Sequence, residues 1–342
     1  MNLEDLDFNL PEELIAQHPI YPRDHSKLMV VNKKTGEILH KTFYMIKEYF
    51  KKGDILVLNN SKVIRARFYG LNEKTSGKRE ILLIKQIDSF AWKAFTSPNK
   101  RVHEGDSILI SKNPMIKAKI YKKETTEDVV VFEAPDLSME DILQRFGKVP
   151  LPPYIKGKIE SEAEYQTIYA SIAGSVASPT AGLHFTKQLL EELEAYGVII
   201  EYITLHVGPG TFKPIQEENI EKHIMHEEEF LITEETANNI NKAKSIGGRL
   251  FACGTTVIRS LETASTREGM LKPMQGKTRL FIKPGYNFKI VDAVITNFHF
   301  PKTTLLALVM AFTGKDLVFS AYNSAIKEKY RFFTFGDAML IV

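Results

Sequence analysis

Cysteine and tryptophan are nearly absent from this chain of 342 residues, which contains one of each. A single thiol excludes an intramolecular disulfide and a metal site built from several thiolates, so the composition does not require an oxidising compartment. No apolar stretch approaches the roughly 20 residues that a bilayer-spanning helix needs. The first residues after Met1 are acidic where a secretory signal would be basic. We therefore expect a soluble, cytoplasmic protein.

The one thiol, Cys253, lies in the apolar run 249–253. We interpret it as a small buried hydrophobe rather than as a nucleophile, because a reactive thiol needs a polar, partly exposed setting.

Charge is plentiful but unevenly distributed. Residues 61–123 contain fifteen lysines and arginines against five acidic residues, whereas the whole chain carries a net charge of only +3. The rest of the chain is therefore acidic overall. A basic segment of this kind is typical of a surface that binds a polyanion such as RNA, although a solvated, lysine-rich β-domain would give the same pattern.

The hydrophobic pattern divides the chain into two parts. Six short runs of alternating polarity, separated by turn residues, lie within 65–134 and predict a small antiparallel β-barrel. Elsewhere, apolar strands alternate with amphipathic helices, which predicts an α/β layered architecture. We therefore predict a discontinuous α/β domain, formed by residues 1–62 and 151–342, with the basic barrel inserted at 63–150.

The predicted elements of the α/β part can be placed from period and capping signals. The strands are expected at 54–60, 198–207, 249–253, 278–282 and 291–297. The helices are expected from about Thr186 to Tyr196, from Thr233 to the Gly247-Gly248 pair, at 303–312 and at 316–329.

Polar segments containing glycine lie at the ends of predicted strands, at 178–186, 204–212, 254–259 and 296–304. Because ligands of open α/β sheets bind beyond the carboxyl ends of the strands, we expect these segments to line one crevice. The predicted substrate-binding residues within them are Thr180, Gly182, Gly208, Gly210, Gly254, Thr255, Thr256, Arg259 and Asn297. Gly208-Pro-Gly210 lacks the third glycine of a dinucleotide fingerprint, so it indicates either close approach to a ligand or a tight turn.

Gly254 follows a predicted strand and precedes a predicted helix. The N-terminal amides of such a helix can hold a carboxylate or a phosphate, and ordinary capping by a threonine hydroxyl is the alternative. Arg259, one turn into that helix, is suited to a ligand carboxylate, or to an ion pair with Glu262.

His184, His206, His299 and Asp337 are the predicted catalytic residues. Imidazole titrates near neutrality and is the commonest general acid or base, although a structural histidine held by hydrogen bonds is an equal alternative for each. Asp337 precedes an apolar strand, where a buried carboxylate requires partners.

His223 and His226 are spaced i, i+3 and precede three glutamates, so a metal site must be considered. The chain has no H-E-x-x-H motif, and we predict no bound metal.

Several separated motifs resemble those of the bacterial S-adenosylmethionine:tRNA ribosyltransferase-isomerase family, in the same order along nearly the whole chain. They are 10–17, Pro22-Arg-Asp24, 53–57, 65–67, 150–155, 179–186, 204–208 with 210–212, Gly254-Thr-Thr with Arg259, 284–286, 296–299, and 330–341. A mild departure is Pro209, where the family pattern has an aliphatic residue.

The resemblance implies a specific reaction. Family members transfer and isomerise the ribosyl part of S-adenosylmethionine onto 7-aminomethyl-7-deazaguanine at the wobble position of tRNA, giving epoxyqueuosine-tRNA, adenine and methionine. It also implies that S-adenosylmethionine is consumed as a substrate, with no separate cofactor, and that the fold is an α/β domain with an inserted β-barrel. The oligomeric state stays open, with a monomer as the working expectation.

The basic barrel would then contribute to tRNA binding through exposed cations. The residues predicted for this role are Arg65, Arg67, Lys78, Arg79, Lys100 and Arg101. Two alternative functions compete with a tRNA ribosyltransferase. They are a non-catalytic RNA-binding factor that uses the barrel alone and a histidine-based metal hydrolase.

Overall fold

The computed structural model describes residues 1–123, 127–157, 159–208, 210 and 215–342, which form two compact units. The first unit comprises Met1–Lys62, Pro152–Ile172 and Ser178–Val342, and the second comprises Val63–Leu151 and Ala173–Ala177. The short segment 173–177 thus returns to the second unit, a crossing that the division drawn from the sequence does not include. Pro209 and residues 211–214 of the quoted motifs lie outside the described residues.

The strands and helices have these bounds. The strands are β1 (Lys27–Val31), β2 (Ile38–Thr42), β3 (Ile55–Asn59), β4 (Ser61–Val63), β5 (Arg67–Asn72), β6 (Lys78–Gln86), β7 (Ala91–Ser97), β8 (Ser107–Lys112), β9 (Met115–Lys122), β10 (Asp128–Glu133), β11 (Ile172–Ser175), β12 (Ile199–Leu205), β13 (Glu228–Ile232), β14 (Leu250–Cys253), β15 (Met274–Thr278), β16 (Ala293–Asn297) and β17 (Ala338–Ile341). The α-helices are α1 (Met139–Phe146), α2 (Lys187–Tyr196), α3 (Glu234–Ser245), α4 (Thr255–Ala264), α5 (Thr304–Thr313) and α6 (Lys315–Lys327).

A mixed sheet of nine strands organises the first unit, in the order β15-β13-β12-β3-β14-β16-β17-β1-β2. Its centre, β12-β3-β14-β16, is parallel, and every residue of β3, β14 and β16 is buried. Strands that are covered on both faces consist of continuous apolar runs. The sequences of these three strands show such runs. Parallel pairing brings the carboxyl ends of these four strands to one edge.

The helices begin and end where their capping residues predict. Thr186 accepts a hydrogen bond from the Leu189 backbone N–H at 3.2 Å to start α2, and Gly197 ends that helix in the left-handed region at φ 100°. Thr233 caps α3 in the same way, at 3.1 Å from the Thr236 nitrogen. Local signals therefore determine these boundaries.

One predicted strand was wrong. Residues 279–282 are not a strand, and the neighbouring strand β15 runs over the polar sequence Met274–Thr278 instead. It pairs with β13, which the apolar pattern does not predict because this strand begins with two glutamates. β15 has little hydrophobic pattern of its own, and its conformation depends on the backbone hydrogen bonds to β13.

The second unit is a closed barrel of six antiparallel strands, in the order β10-β7-β6-β5-β8-β9. All six strands lie where the alternating pattern predicts them, so the predicted fold class, an α/β layered domain with an inserted antiparallel barrel, is confirmed. Phe68, Ile81, Trp92 and Ile120 fill the barrel interior. Closure leaves no free strand edge that could pair with another chain.

In the described part of the chain, no single helix is long and apolar enough to cross a membrane. The pair α5 and α6 meets the length and composition requirements jointly, with a bend of 114° between the two helices.

Asp54 ties β3 to β14 at the start of both strands. Its buried carboxylate accepts the backbone N–H of Lys51 at 2.7 Å and of Arg249 at 3.1 Å, and it also pairs with the Arg249 guanidinium. We expect Asp54→Ala to lower the free energy of unfolding by about 3–5 kcal/mol, because buried donors lose their partner. Urea denaturation measures this loss.

Asp316→Ala is the matched control, since Asp316 lies exposed in the first turn of α6. It should lower stability by less than about 1 kcal/mol. Equal losses in the two variants would contradict the role given to Asp54.

Candidate functional site

A crevice with about 660 Å³ of empty volume lies beyond the carboxyl ends of β14 and β16. Six of the predicted substrate-binding or catalytic residues line it: Thr180, Gly254, Thr255, Thr256, Asn297 and His299. Apolar walls come from Val207, Leu305 and Phe300. The crevice is therefore mostly apolar with a few converging polar groups, as is usual for sites that bind small molecules.

The N-terminus of α4 opens into this crevice. Gly254 precedes the helix with φ 93°, donates its N–H to the Ile295 carbonyl at 2.7 Å, and provides no side-chain cap. The following residues, Thr255 and Thr256, line the crevice. The first-turn amides of an uncapped helix carry partial positive charge and attract a carboxylate or phosphate.

Ser178 is a crevice residue that the sequence analysis did not single out, although it begins one of the polar segments. Its side chain is buried and lines the crevice, and its Oγ has no hydrogen-bond partner among the described residues. A buried hydroxyl without a partner is unfavourable, so it is available to a ligand. The sequence offered no signal beyond its place in the segment.

Asn297, the last residue of β16, joins three segments. Its Oδ1 accepts the Thr180 hydroxyl at 3.3 Å, and its Nδ2 donates to the Phe333 carbonyl at 3.0 Å and to His184 Nε2 at 3.2 Å. Because Nε2 accepts, the proton of the His184 ring is on Nδ1, which donates to Ser26 Oγ at 2.7 Å. Both ring nitrogens of His184 are therefore occupied by protein partners.

His184 lies behind the crevice and does not line it. Its ring stacks on Phe43, with centroids 4.9 Å apart. Burial, reinforced by the charges of Arg23 and Arg331, lowers the pKa of His184 to about 3. This places a neutral imidazole in a fixed orientation and suits a residue that positions Asn297.

His299 is the one predicted catalytic residue that lines the crevice. Its Nε2 lies 2.8 Å from Thr296 Oγ1, and its backbone N–H donates to the Tyr322 hydroxyl at 3.0 Å. Burial lowers the pKa of His299 to about 3, so its ring is neutral at physiological pH.

His206 and Asp337 do not line the crevice. His206 follows β12, and its neighbour Val207 points into the crevice instead. The Asp337 carboxylate is buried and accepts the backbone N–H groups of Lys27 at 3.0 Å and Arg331 at 2.8 Å. These contacts fix the turn before β17, which is a structural use of a buried acid.

A second cavity, here called the second lobe, adjoins the crevice. The two share the lining residues Thr255, Thr256 and Leu305. Gly210 and Arg259 line this lobe. The Arg259 guanidinium is buried and donates to the carboxylate of Glu228, whose other oxygen accepts the Gly208 N–H at 3.3 Å. Arg259 thus anchors the segment after β12, and any ligand carboxylate would compete with Glu228 for it.

Gly182, also predicted to bind substrate, is buried away from the crevice lining. A Cβ atom at this position would lie 1.9 Å from the Tyr169 hydroxyl oxygen. The glycine is therefore needed for packing.

Aromatic side chains form one wall of the crevice. Tyr154, Phe300 and Phe333 line it, and the two phenylalanine rings stack. Phe333 adopts φ 69°, a strained conformation for a non-glycine residue, and the Asn297 contact to its carbonyl holds it there.

The barrel places the predicted tRNA-binding cations at two ends of β5. Lys78, Lys100 and Arg101 are exposed at one end, where the buried Arg79 donates to the Arg101 carbonyl at 2.7 Å. Arg67 lies at the other end, paired with Glu80 at 3.0 Å, and Arg65 close to it in sequence donates to the Gln144 carbonyl. Three of the six cations are therefore exposed together, and the other three have protein partners.

Comparison with known proteins identifies the family. The sequence profile described as queuosine biosynthesis protein matches residues 3–341. The chain belongs to this family. Two similar proteins, each named S-adenosylmethionine:tRNA ribosyltransferase-isomerase, come from Acetivibrio thermocellus (49% identity over 342 residues) and Clostridium kluyveri (48% over 341), with full coverage of both chains.

A solved structure is similar over the same length. The crystal structure of S-adenosylmethionine tRNA ribosyltransferase from Thermotoga maritima is 37% identical, has a TM-score of 0.56, and covers 99% of this chain and 100% of its own. The resemblance of the motifs to this family is therefore confirmed. In this queuosine biosynthesis family member, the described residues contain no group of three or more His, Cys, Asp or Glu side chains placed to hold a metal ion.

The depressed pKa of His184 makes stability depend on pH. An ordinary histidine in the unfolded chain binds a proton below about pH 6.5, whereas His184 and His299 in the fold bind one only near pH 3. Stability is therefore complete above pH 6.5 and falls as the pH drops towards 3, by about 2 kcal/mol per histidine at pH 5.

We expect His184→Gln to reduce the difference in unfolding free energy between pH 7.5 and pH 5 by about 2 kcal/mol. Urea denaturation at the two pH values gives this difference. An unchanged difference in the variant would show that His184 is not buried in its neutral form.

Proposed function

We propose that this chain transfers and isomerises the ribosyl moiety of S-adenosylmethionine onto 7-aminomethyl-7-deazaguanine at the wobble position of tRNA, giving epoxyqueuosine-tRNA, adenine and methionine. Family membership and the names of relatives at 47–49% identity over the full chain support the reaction. The structural observation that carries it is the uncapped N-terminus of α4, which shares one crevice with the Ser178 hydroxyl, a group with no partner in the described part of the chain.

This arrangement suits the amino-acid end of S-adenosylmethionine. The first-turn amides of α4 would receive the carboxylate, and Ser178 Oγ would donate a hydrogen bond within the same lining. The apolar walls formed by Val207 and Leu305 would pack on the rest of the molecule and exclude water. Arg259 would act indirectly, by holding the segment around Gly208 through Glu228.

The reaction must make the ribose 5′ carbon reactive, expel adenine and admit the amine of the modified base. The sulfonium already acidifies that carbon, so the protein must orient the groups and provide hydrogen bonds and a site for proton transfer. His299 is the proposed group in contact with the substrate. Because its ring is neutral, it can hydrogen-bond beside a sulfonium without electrostatic repulsion.

His184 would act as a positioning residue. It holds the side chain of Asn297, which in turn holds Thr180 and Phe333 at the crevice. Asp337, also predicted as catalytic, would contribute through the fold, given its contacts to backbone N–H groups away from the crevice. His206, the other residue predicted as catalytic, lies outside the crevice lining.

S-adenosylmethionine is consumed as a substrate in this proposal, and no separate cofactor takes part.

The decisive test is adenine release. We expect the purified chain, given S-adenosylmethionine and tRNA carrying 7-aminomethyl-7-deazaguanine, to release adenine and methionine in equal amounts, and chromatography to detect both. The same tRNA with guanine at the wobble position should yield neither. RNA binding without adenine release would contradict the proposal and favour a non-catalytic RNA-binding factor.

Ser178→Ala tests the assignment of the crevice. We expect the KM for S-adenosylmethionine to rise roughly 10- to 100-fold, the usual effect of losing one hydrogen bond to a charged group, while the KM for tRNA stays within about twofold. Steady-state kinetics of adenine release give both constants. Ser245→Ala, at an exposed position at the end of α3, is the matched control and should leave both unchanged.

The barrel is the proposed contributor to tRNA binding. Its exposed cations Lys78, Lys100 and Arg101 lie together, whereas the partners of Arg65, Arg67 and Arg79 leave those side chains less available. We therefore expect the phosphate contacts at the Lys100 end of the barrel.

Reversing two positive charges on the barrel measures how much the barrel contributes to tRNA binding. We expect Lys100→Glu combined with Arg101→Glu to reduce the slope of log affinity for tRNA against log salt concentration by about 1.5, because two phosphate contacts are lost. Filter binding at several salt concentrations gives the slope. Lys85→Glu with Lys119→Glu, two other exposed barrel positions, is the control, and equal slopes in both variants would place the tRNA contacts elsewhere.

A further inference from the structure

A second, smaller cleft lies beside the crevice and plays no part in the function proposed above. It has about 200 Å³ of empty volume, and Thr334 lines both it and the crevice. Two arginines from opposite ends of the chain, Arg23 and Arg331, face it. The quoted motifs 22–24 and 330–341 meet here.

Arg331 has donor capacity that the protein does not use. Its guanidinium donates to the His18 carbonyl at 3.2 Å and to the Asp337 carboxylate at 3.0 Å. Its Nε is buried and has no hydrogen-bond partner within the described ranges. A buried cationic N–H without an acceptor is unfavourable unless a ligand supplies one.

Arg23 has the less direct counter-charge of the two. It donates to the main-chain carbonyl of Glu164, while the carboxylate of that residue accepts the backbone N–H groups of Glu160 at 2.9 Å and Ser161 at 3.2 Å. Among the described residues, the Arg23 guanidinium forms no direct ion pair with a carboxylate, although Glu164 and the Tyr21 hydroxyl act on it. Burial lowers the pKa of Arg23, an effect to which the charge of Arg331 contributes.

The two guanidinium groups at the cleft favour an anion between them. They act electrostatically on each other and on the neutral ring of His184. Asp337 forms a direct ion pair with Arg331, whereas the Glu164 carboxylate acts on Arg23 without one among the described residues. Like charges held together in a partly buried cleft are stabilised when an anion lies between them. Arginine is the residue best suited to bind a tetrahedral oxyanion through several N–H groups.

An exposed aromatic ring identifies the class of anion. The Tyr21 side chain is 66% exposed, and the Arg23 guanidinium lies 5.3 Å from its ring centre. An exposed ring beside an arginine offers a stacking surface for an unpaired base next to a contact for its phosphate, which is how proteins commonly hold single-stranded RNA.

We propose that Arg23 and Arg331 form a binding site for one backbone phosphate of the substrate RNA, adjacent to the nucleotide whose base enters the crevice. The inference rests on the proposed function for the identity of the RNA. The wall shared through Thr334 would place this phosphate contact next to the reacting base, so that it orients the nucleotide.

Arg23→Gln and Arg23→Lys test the site, since Arg23 is not part of the Asp337 network that shapes the turn before β17. We expect Arg23→Gln to raise the Kd for the substrate tRNA roughly 10- to 100-fold at 0.1 M salt and to reduce the salt slope by about 0.7–0.9. Arg23→Lys should restore the slope but only part of the affinity. Lys187→Gln, which removes an exposed charge on α2, is the control and should change neither value appreciably.

Measurements of tRNA binding and of turnover distinguish a failure of the phosphate site from a failure of the proposed function. A raised KM for tRNA with an unchanged KM for S-adenosylmethionine supports the phosphate site. A raised KM for S-adenosylmethionine alone would assign the arginines to its carboxylate and overturn the inference, as would an unchanged salt slope in Arg23→Gln. If the chain released no adenine at all, the tRNA-binding measurements would still decide whether the phosphate site exists.

Discussion

The side-chain amide of Asn297 is the contact on which the arrangement of the crevice depends. It stands at the carboxyl end of a fully buried strand, accepts the Thr180 hydroxyl, and donates to His184 and to the Phe333 carbonyl. A buried amide with each polar atom in use specifies a single arrangement of its neighbours. The network holds the strained backbone of Phe333 and the tautomer of His184.

The same network connects the crevice to the cleft of the two arginines. His184 contacts Asn297 on one side and faces that cleft on the other, and Thr334 lines both spaces. A neutral imidazole is favourable between them, because a third positive charge beside Arg23 and Arg331 would be destabilising. Burial lowers the pKa of His184, and the charges of Arg23 and Arg331 lower it further.

The predicted functional residues fall into two groups. Some line the crevice, where a ligand would bind, and others fix the position of the lining residues. Gly254, Thr255 and His299 line the crevice, whereas Arg259 and Asp337 are satisfied by Glu228 and by backbone N–H groups. The residue type at a strand end does not tell whether the side chain binds a ligand or supports the fold. A buried arginine or aspartate needs polar partners in either case. Ser178 is the opposite case, because its residue type and position do not indicate ligand binding. Only the fold shows that its hydroxyl, which has no partner among the described residues, is available to a ligand.

The sequence by itself determined most of the elements and the fold class. Short-range signals, such as the alternation in the six barrel strands, the Thr186 and Thr233 caps and the apolar runs of β3 and β16, reflect local periodicity and burial. The tertiary structure decided the rest. β15 forms through pairing with β13, His184 and Asn297 meet across 113 residues, and Arg23 joins Arg331 from opposite ends of the chain. These are long-range contacts, and no local pattern encodes which distant partner a side chain will meet.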